Sequence, residues 1–126
     1  MGVIALARVY DTDDGNEGPR FLVERLWPRG VRRDGLRLTA WLPEVGPSAG
    51  LRTWFSHRPD RWAEFQRRYR TELEEHPEHW RVLRDAAAAG DVTLLYSSRD
   101  TEHNNAVALR AFLIEPEHAG LGGAAP

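Results

Sequence analysis

Two stretches of this chain gather side chains that can hold an anion or move a proton. The first is Ser97-Ser98-Arg99-Asp100, followed by His103 and Asn104. It offers hydroxyl donors, a guanidinium fork, a carboxylate, an imidazole and an amide in a short run. The second is Arg25-Leu26-Trp27-Pro28-Arg29-Gly30, which sets two guanidinium groups around a tryptophan-proline turn. Arginine grips phosphate or carboxylate through two parallel N–H···O bonds, and a tryptophan face can stack on a base. Arg52 and His57 form a smaller third group. Histidine titrates near neutrality and serves as a general acid or base, here with Asp100 or Glu24 to orient it. The candidate site is therefore His57 and Asp100 for proton transfer, with Arg25, Arg29, Arg52, Ser97, Ser98, Arg99, His103 and Asn104 for ligand binding.

Each group also has a plainer structural reading, and both readings stand at this level. Asp100 can cap a helix while its neighbours are solvated, and an acidic cap opposes an anion on the same amides. Trp27 and Pro28 can pack in the core while the arginines pair with Glu24 or with Asp13 and Asp14. His57 can cap a helix or lie on a tryptophan. His76 and His79 stand three apart at a helix start, with His118 further on, but the carboxylate–histidine pattern of known zinc sites is missing. No metal site is expected from that spacing. Ser97 lacks the glycine-serine-glycine elbow of hydrolases.

Composition closes several classes. The 126 residues contain no cysteine, which excludes disulfides, thiol nucleophiles and cysteine-ligated clusters. All 17 basic residues are arginine, which excludes a Schiff-base lysine and a Walker-type phosphate loop. No cofactor is called for. Between Arg20 and Arg37 six arginines face two carboxylates, a local charge of +4, whereas the whole chain carries −2. A nucleic-acid surface is thus a weaker expectation than a small anionic ligand. No apolar run approaches the roughly twenty residues that span a bilayer, and Arg8 and Asp11 interrupt the start too early for a secretory signal. A cytoplasmic protein without a membrane partner is expected.

The elements that must position these residues follow from pattern. Val3 to Tyr10 and Phe21 to Leu26 read as strands around an acidic, glycine-bearing loop, paired either as a hairpin or in parallel. From Leu38 to Ala89 the pattern is helical, with short segments at Leu38–Leu42 and Ala49–Phe55 and a long helix from Pro59. Its apolar stripe is Trp62, Phe65, Tyr69 and Leu73. His76-Pro77-Glu78 opens a second helix, closed by Gly90. Val92 to Tyr96 is continuously apolar, as a strand buried on both faces must be. A last helix is expected from Thr101 to about Ile114, capped by Asp100 and facing inward with Ala106, Leu109 and Leu113. Residues 116–126 hold too little apolar surface to pack and read as a flexible tail. Residues 1–115 form one domain: a small α/β fold with a short, mostly parallel central sheet flanked by helices and a helix-rich middle.

These motifs together resemble the YeaO-like proteins, a bacterial family known as a domain of unknown function. The resemblance rests on Arg25 to Gly30, Pro47-Ser48, Leu51-Arg52, Trp54-Phe55 with His57, the Trp62–Phe65–Tyr69 helix, Leu94 to Ser97, Asp100 and His103 to Ala106. It covers nearly the whole chain apart from both ends. Members of that family usually carry lysine after the tryptophan-proline-arginine-glycine segment, and often in the loop before the final helix. Here Val31-Arg32-Arg33 and Arg99 stand in those places, so charge is kept without lysine chemistry. The resemblance implies the fold and no established reaction, substrate or cofactor. If both early strands point the same way, the Arg25–Gly30 and Ser97–His103 loops face one crevice. The expected function is then binding of a phosphate-bearing or other anionic small molecule, such as a nucleotide, with catalysis left open. The alternative is a non-enzymatic nucleic-acid- or protein-binding accessory module, with Trp41 or Trp54 as an exposed anchor.

Overall fold

The computed structural model describes residues 2–11 and 18–115. The expected tail at 116–126, most of the acidic loop, and Asp13, Asp14 and His118 lie outside those residues.

Four strands form one sheet in the order β1-β4-β2-β3: β1 is Ile4–Arg8, β2 Arg20–Leu22, β3 Ala40–Trp41 and β4 Val92–Tyr96. Every pairing is parallel. All five residues of β4 are buried, as its largely apolar run requires, and it lies between β1 and β2. Ile4 to Arg8 register against Val92 to Tyr96, while Phe21 stands opposite Leu94. The pairing left open between hairpin and parallel is thereby decided. The first two strands do not touch each other but flank β4 in the same direction. β2 is shorter than Phe21 to Leu26, although the Val23 amide still donates to the Leu95 carbonyl at 3.2 Å. The chain then leaves the sheet as the Arg25–Gly30 loop.

The segment Leu38–Leu42 is not helical as its composition suggested. It contains the edge strand β3, bracketed by Thr39 N–H to Arg20 O at 2.7 Å and Leu42 N–H to Leu22 O at 2.9 Å. Ala40 and Leu42 pack on one core and Trp41 on the other, the period-two alternation of a strand.

Four helices complete the fold: α1 Ala49–Phe55, α2 Trp62–Glu75, α3 Pro77–Ala89 and α4 Asn105–Ile114. A single 3₁₀ turn, Pro59–Arg61, leads into α2, so the helix expected from Pro59 starts one turn tighter than an α-helix. Phe65, Tyr69 and Leu73 bury one stripe of α2, and Trp80, Leu83 and Ala87 one stripe of α3. Gly90 ends α3 in an extended conformation, its amide donating to Ala86 O at 3.1 Å. The inward residues expected for α4, Ala106, Leu109 and Leu113, are buried. Its start is four residues later than expected. Asn104, not Asp100, is the N-cap, its Oδ1 accepting the Val107 amide at 3.0 Å. Asp100 Oδ1 takes the amides of Glu102 and His103, each at 2.9 Å. This local turn competes with helix for the same donors.

All four helices feed one large core on one face of the sheet. The other face carries a smaller cluster of Ala7, Val9, Leu22 and Leu95, covered by Trp27, Val31, Leu36, Leu38 and Trp41. The segment between β2 and β3 therefore does for this face what helices do for the other. No helix among the described residues is long and apolar enough to cross a membrane.

Candidate functional site

Because β2 and β4 are parallel neighbours, the loops leaving their carboxyl ends emerge side by side, where ligands of open parallel sheets are held. A cavity of about 530 Å³ lies there. Residues 24–29 form one wall and Ser97, Ser98 and His103 to Asn105 another, while Pro47, Arg52, Phe55, His57 and Phe65 come from α1, α2 and their connections. Phe55 and Phe65 are buried, their rings tilted against each other with centroids 4.4 Å apart, so the cavity is apolar in its depth and polar at its rim.

The two loops are clamped together by Glu24, which lies just beyond β2. Its carboxylate accepts the Ser97 amide at 3.1 Å and the Ser97 hydroxyl at 2.5 Å. Glu72 makes a matching pair of bonds to Ser48, at 2.9 Å to the amide and 2.6 Å to the hydroxyl, and so fastens α1 to α2. From the other side Arg8 Nε donates to Ser98 O at 2.8 Å and its Nη2 to Ser97 O at 3.4 Å. The Ser98 hydroxyl accepts the Asp100 amide at 3.1 Å. Ser97 and Ser98 thus line the cavity with much of their hydrogen-bonding capacity already engaged.

The arginines divide by role. Arg25 donates from Nε to Pro47 O and from Nη2 to Gly46 O, both at 2.9 Å. This strap needs Gly46, because a Cβ there would come within 2.9 Å of the Arg25 amide nitrogen. Arg29 is exposed, and it precedes Gly30 in a turn closed by Val31 N–H to Pro28 O at 3.4 Å. Gly30 has φ +76°, the left-handed position that a turn of this kind reserves for glycine. Arg52 is half-buried on the cavity wall, and no described residue pairs with or hydrogen-bonds to its guanidinium. Arg99 is exposed and does not line the cavity.

Asp100 orients His103 and not His57. Its Oδ2 lies 3.0 Å from His103 Nδ1, and the imidazole meets the edge of Trp62 at 5.3 Å between ring centroids. The amides of Glu102 and His103, and after them the imidazole, hold the Asp100 carboxyl below the usual carboxylate range. Asp100 is therefore an ionised acceptor, and His103 keeps Nε2 as the ring atom not taken up by that pair. His57 is exposed at the cavity rim and tilted against Phe55 at 6.5 Å. Ser56 and His57 both have positive φ, 48° and 55°, a costly conformation for residues with a Cβ and one that concentrates at functional sites. Asn104 is buried and its amide is engaged at both ends, with Nδ2 donating to Asp100 O at 2.9 Å.

Of the ten residues singled out by type, eight line the cavity; Arg99 and Asp100 do not. Glu24, Phe55, Phe65 and Asn105 belong to it as well. A carboxylate at the end of an apolar strand, next to arginine, was the available signal for Glu24. Phe65 was legible only as a core residue of α2. Trp27 packs as the structural alternative required: its Nε1 donates to Val31 O at 2.6 Å, its ring meets Trp41 at 5.4 Å, and Arg33 lies 4.6 Å over its face. Within the basic run, Arg20 is buried with Nε on Arg37 O, and Arg32 pairs with Asp34. Trp54 lies under Arg61 and Arg68, at 5.0 and 4.3 Å.

Residues 3–123 match the family DUF488-N3i, described as the inactive DUF488-N3 subclade. YeaO of Escherichia coli K12 is 39% identical over 110 residues, which is 87% of this chain and 96% of that protein. Rv3073c of Mycobacterium tuberculosis H37Rv and Mb3100c of Mycobacterium bovis are each 36% identical over 110 residues, 87% of this chain and 92% of theirs. All three are described as uncharacterized proteins. No solved structure matches the chain at a significant level.

Proposed function

The chain belongs to the DUF488-N3i family, and we propose that it is a cytoplasmic binding protein for a small phosphate-bearing or otherwise anionic molecule, nucleotides among them. The ligand lies in the cavity between the Arg25–Gly30 and Ser97–His103 loops. The reading rests on one observation: Arg52, half-buried and without a described partner, lines a cavity shared by both loops and by Arg29 and His103. A cavity of about 530 Å³ is within the range of small-molecule sites, and its aromatic depth with a few polar groups at the rim is their usual make-up.

Within this reading the arginines hold the negative charge. The Glu24 clamp already uses the amide and hydroxyl donors of Ser97, and Arg25 shapes the wall. Arg29 and Arg52 take the anionic group, and His103 donates or accepts through Nε2. The family's description as inactive accords with binding without turnover. The engagement of Arg20 and Arg25 within the fold, and of Arg33 over Trp27, gives the oligonucleotide alternative little support.

A thermal-shift screen against phosphate, nucleotides, sugar phosphates and short oligonucleotides tests the proposal. A ligand at a hundred times its Kd stabilises by about 2.7 kcal/mol. The expected result is a selective rise with a small anion that is lost in Arg52→Ala and Arg29→Ala, each of which melts normally without ligand. A flat response, or a rise retained by both variants, overturns it. A rise confined to oligonucleotides and steeply reduced by salt would establish the nucleic-acid alternative instead.

A further inference from the structure

The joint between α2 and α3 brings together three ligand-bearing side chains that the anion-binding reading leaves unused. His76 ends α2 and Pro77 begins α3, so His76, Glu78 and His79 share one turn of chain. Their donor atoms all lie within 4.8 Å of one another. Nitrogens of two different histidines converge on one carboxylate oxygen: Glu78 Oε2 is 3.2 Å from His76 Nδ1 and 3.5 Å from His79 Nε2. The second distance is longer than a normal N–H···O bond. Bonds of about 2.0–2.1 Å to a tetrahedral ion put neighbouring ligand atoms about 3.3–3.4 Å apart, so both contacts have the spacing of a metal polyhedron's edge.

We infer that His76, Glu78 and His79 form a binding site for a divalent transition-metal ion of the zinc class. Two imidazoles and one carboxylate suit zinc and its neighbours, whereas magnesium and calcium prefer oxygen alone. The rings lie nearly parallel, 13° apart with centroids at 4.8 Å. The turn that carries them is rigid. Pro77 presets the first helical residue, His79 N–H donates to His76 O at 3.0 Å, and the indole of buried Trp80 donates to Leu73 O at 2.7 Å. Metal binding therefore pays little to order the backbone. Three protein ligands leave a coordination position open. His76 and His79 also line a cavity of about 250 Å³ together with Glu44, an exposed carboxylate that makes no hydrogen bond to a described residue.

Calorimetric titration of the untagged, chelator-treated full chain with zinc chloride, and separately with magnesium chloride, tests the site. One zinc per chain and no magnesium binding are expected. Glu78→Gln and His79→Ala each weaken zinc by at least about tenfold, since loss of even an outer-shell partner has that effect. His57→Ala and His103→Ala leave zinc affinity unchanged. The substituted side chains are exposed enough, 62% for Glu78 and 29% for His79, that melting without zinc should match the parent. Absence of saturable zinc binding overturns the inference. So does an affinity that persists in both site variants, or one that is lost in His103→Ala or His118→Ala.

Discussion

Replacing Glu24 by glutamine should loosen the fold and tighten the site at once. The carboxylate accepts the Ser97 amide at 3.1 Å and hydroxyl at 2.5 Å, tying the end of β2 to the end of β4. Hydrogen bonds to a charged group contribute about 1.5–3 kcal/mol. Glutamine keeps one carbonyl acceptor and turns the other oxygen into a donor. Its carbonyl can still accept the Ser97 amide and its NH2 can donate to the Ser97 hydroxyl, so both charged bonds become neutral, and because Glu24 is only half-buried the net cost is about 1–2 kcal/mol. In a chain of 126 residues that lowers Tm by roughly 3–8 °C. Anion affinity moves the other way. A carboxylate roughly 7 Å from a bound anion repels it by about 2 kcal/mol at an effective dielectric of about 20, and salt reduces this to about 1 kcal/mol. Removing that charge should lower Kd about fivefold. The assay is a melt at graded concentrations of inorganic phosphate and of the tightest compound in the screen, fitted to the RT ln(1 + [L]/Kd) dependence. Weaker or unchanged binding would place the anion elsewhere or make Glu24 itself a ligand contact. An unchanged Tm would refute the clamp.

Tyr69→Phe should cost about 1–3 kcal/mol in urea unfolding, because the buried phenol donates to Val45 O at 2.6 Å and that carbonyl would be left unpaired. Burial raises the Tyr69 phenol above its ordinary value of 10.0, so its contribution is complete below that pH and is lost as pH rises beyond it. The gap between parent and Tyr69→Phe should therefore narrow above pH 10; a constant gap would contradict this. Thr93→Val should stabilise by about 1 kcal/mol, since the buried Oγ1 has no hydrogen-bond partner among the described residues. A lower urea midpoint would show that the hydroxyl is satisfied. Asp100 contributes stability above the ordinary carboxylate value of 3.8, and this is lost as pH falls through its lower folded value. Asp100→Asn should remove that acid-side loss, so that parent and variant midpoints converge as pH falls below about 3.8. Midpoints that stay parallel would refute the assignment.

Much of this fold is a local matter. The β-prone, largely apolar run of Val92 to Tyr96 reads as a strand covered on both faces, and the stripe through Phe65, Tyr69 and Leu73 reads as a helix packed on one side. Pro59, Pro77 and Gly90 mark helix boundaries because proline presets a first turn and glycine ends a last one. Residue type also picked out eight side chains that line one cavity, since arginine, histidine, serine and asparagine carry polar groups that demand partners or solvent. What residue type leaves open is which groups meet. β3 is two residues long and is a strand only because β2 lies beside it. The first turn expected for α4 was lost to Asp100, whose side chain captured the amides that a helix would have used. Glu24 reaches Ser97 across 73 positions, and Arg25 reaches Pro47 across 22. The Glu24–Ser97 contact exists because β2 and β4 run parallel as neighbours, which brings their carboxyl ends to the same edge of the sheet. Which segments bury themselves and which groups demand partners is written in the residue order; the partners themselves come from the fold, because hydrogen bonds and ion pairs form with whatever the strand order brings within reach.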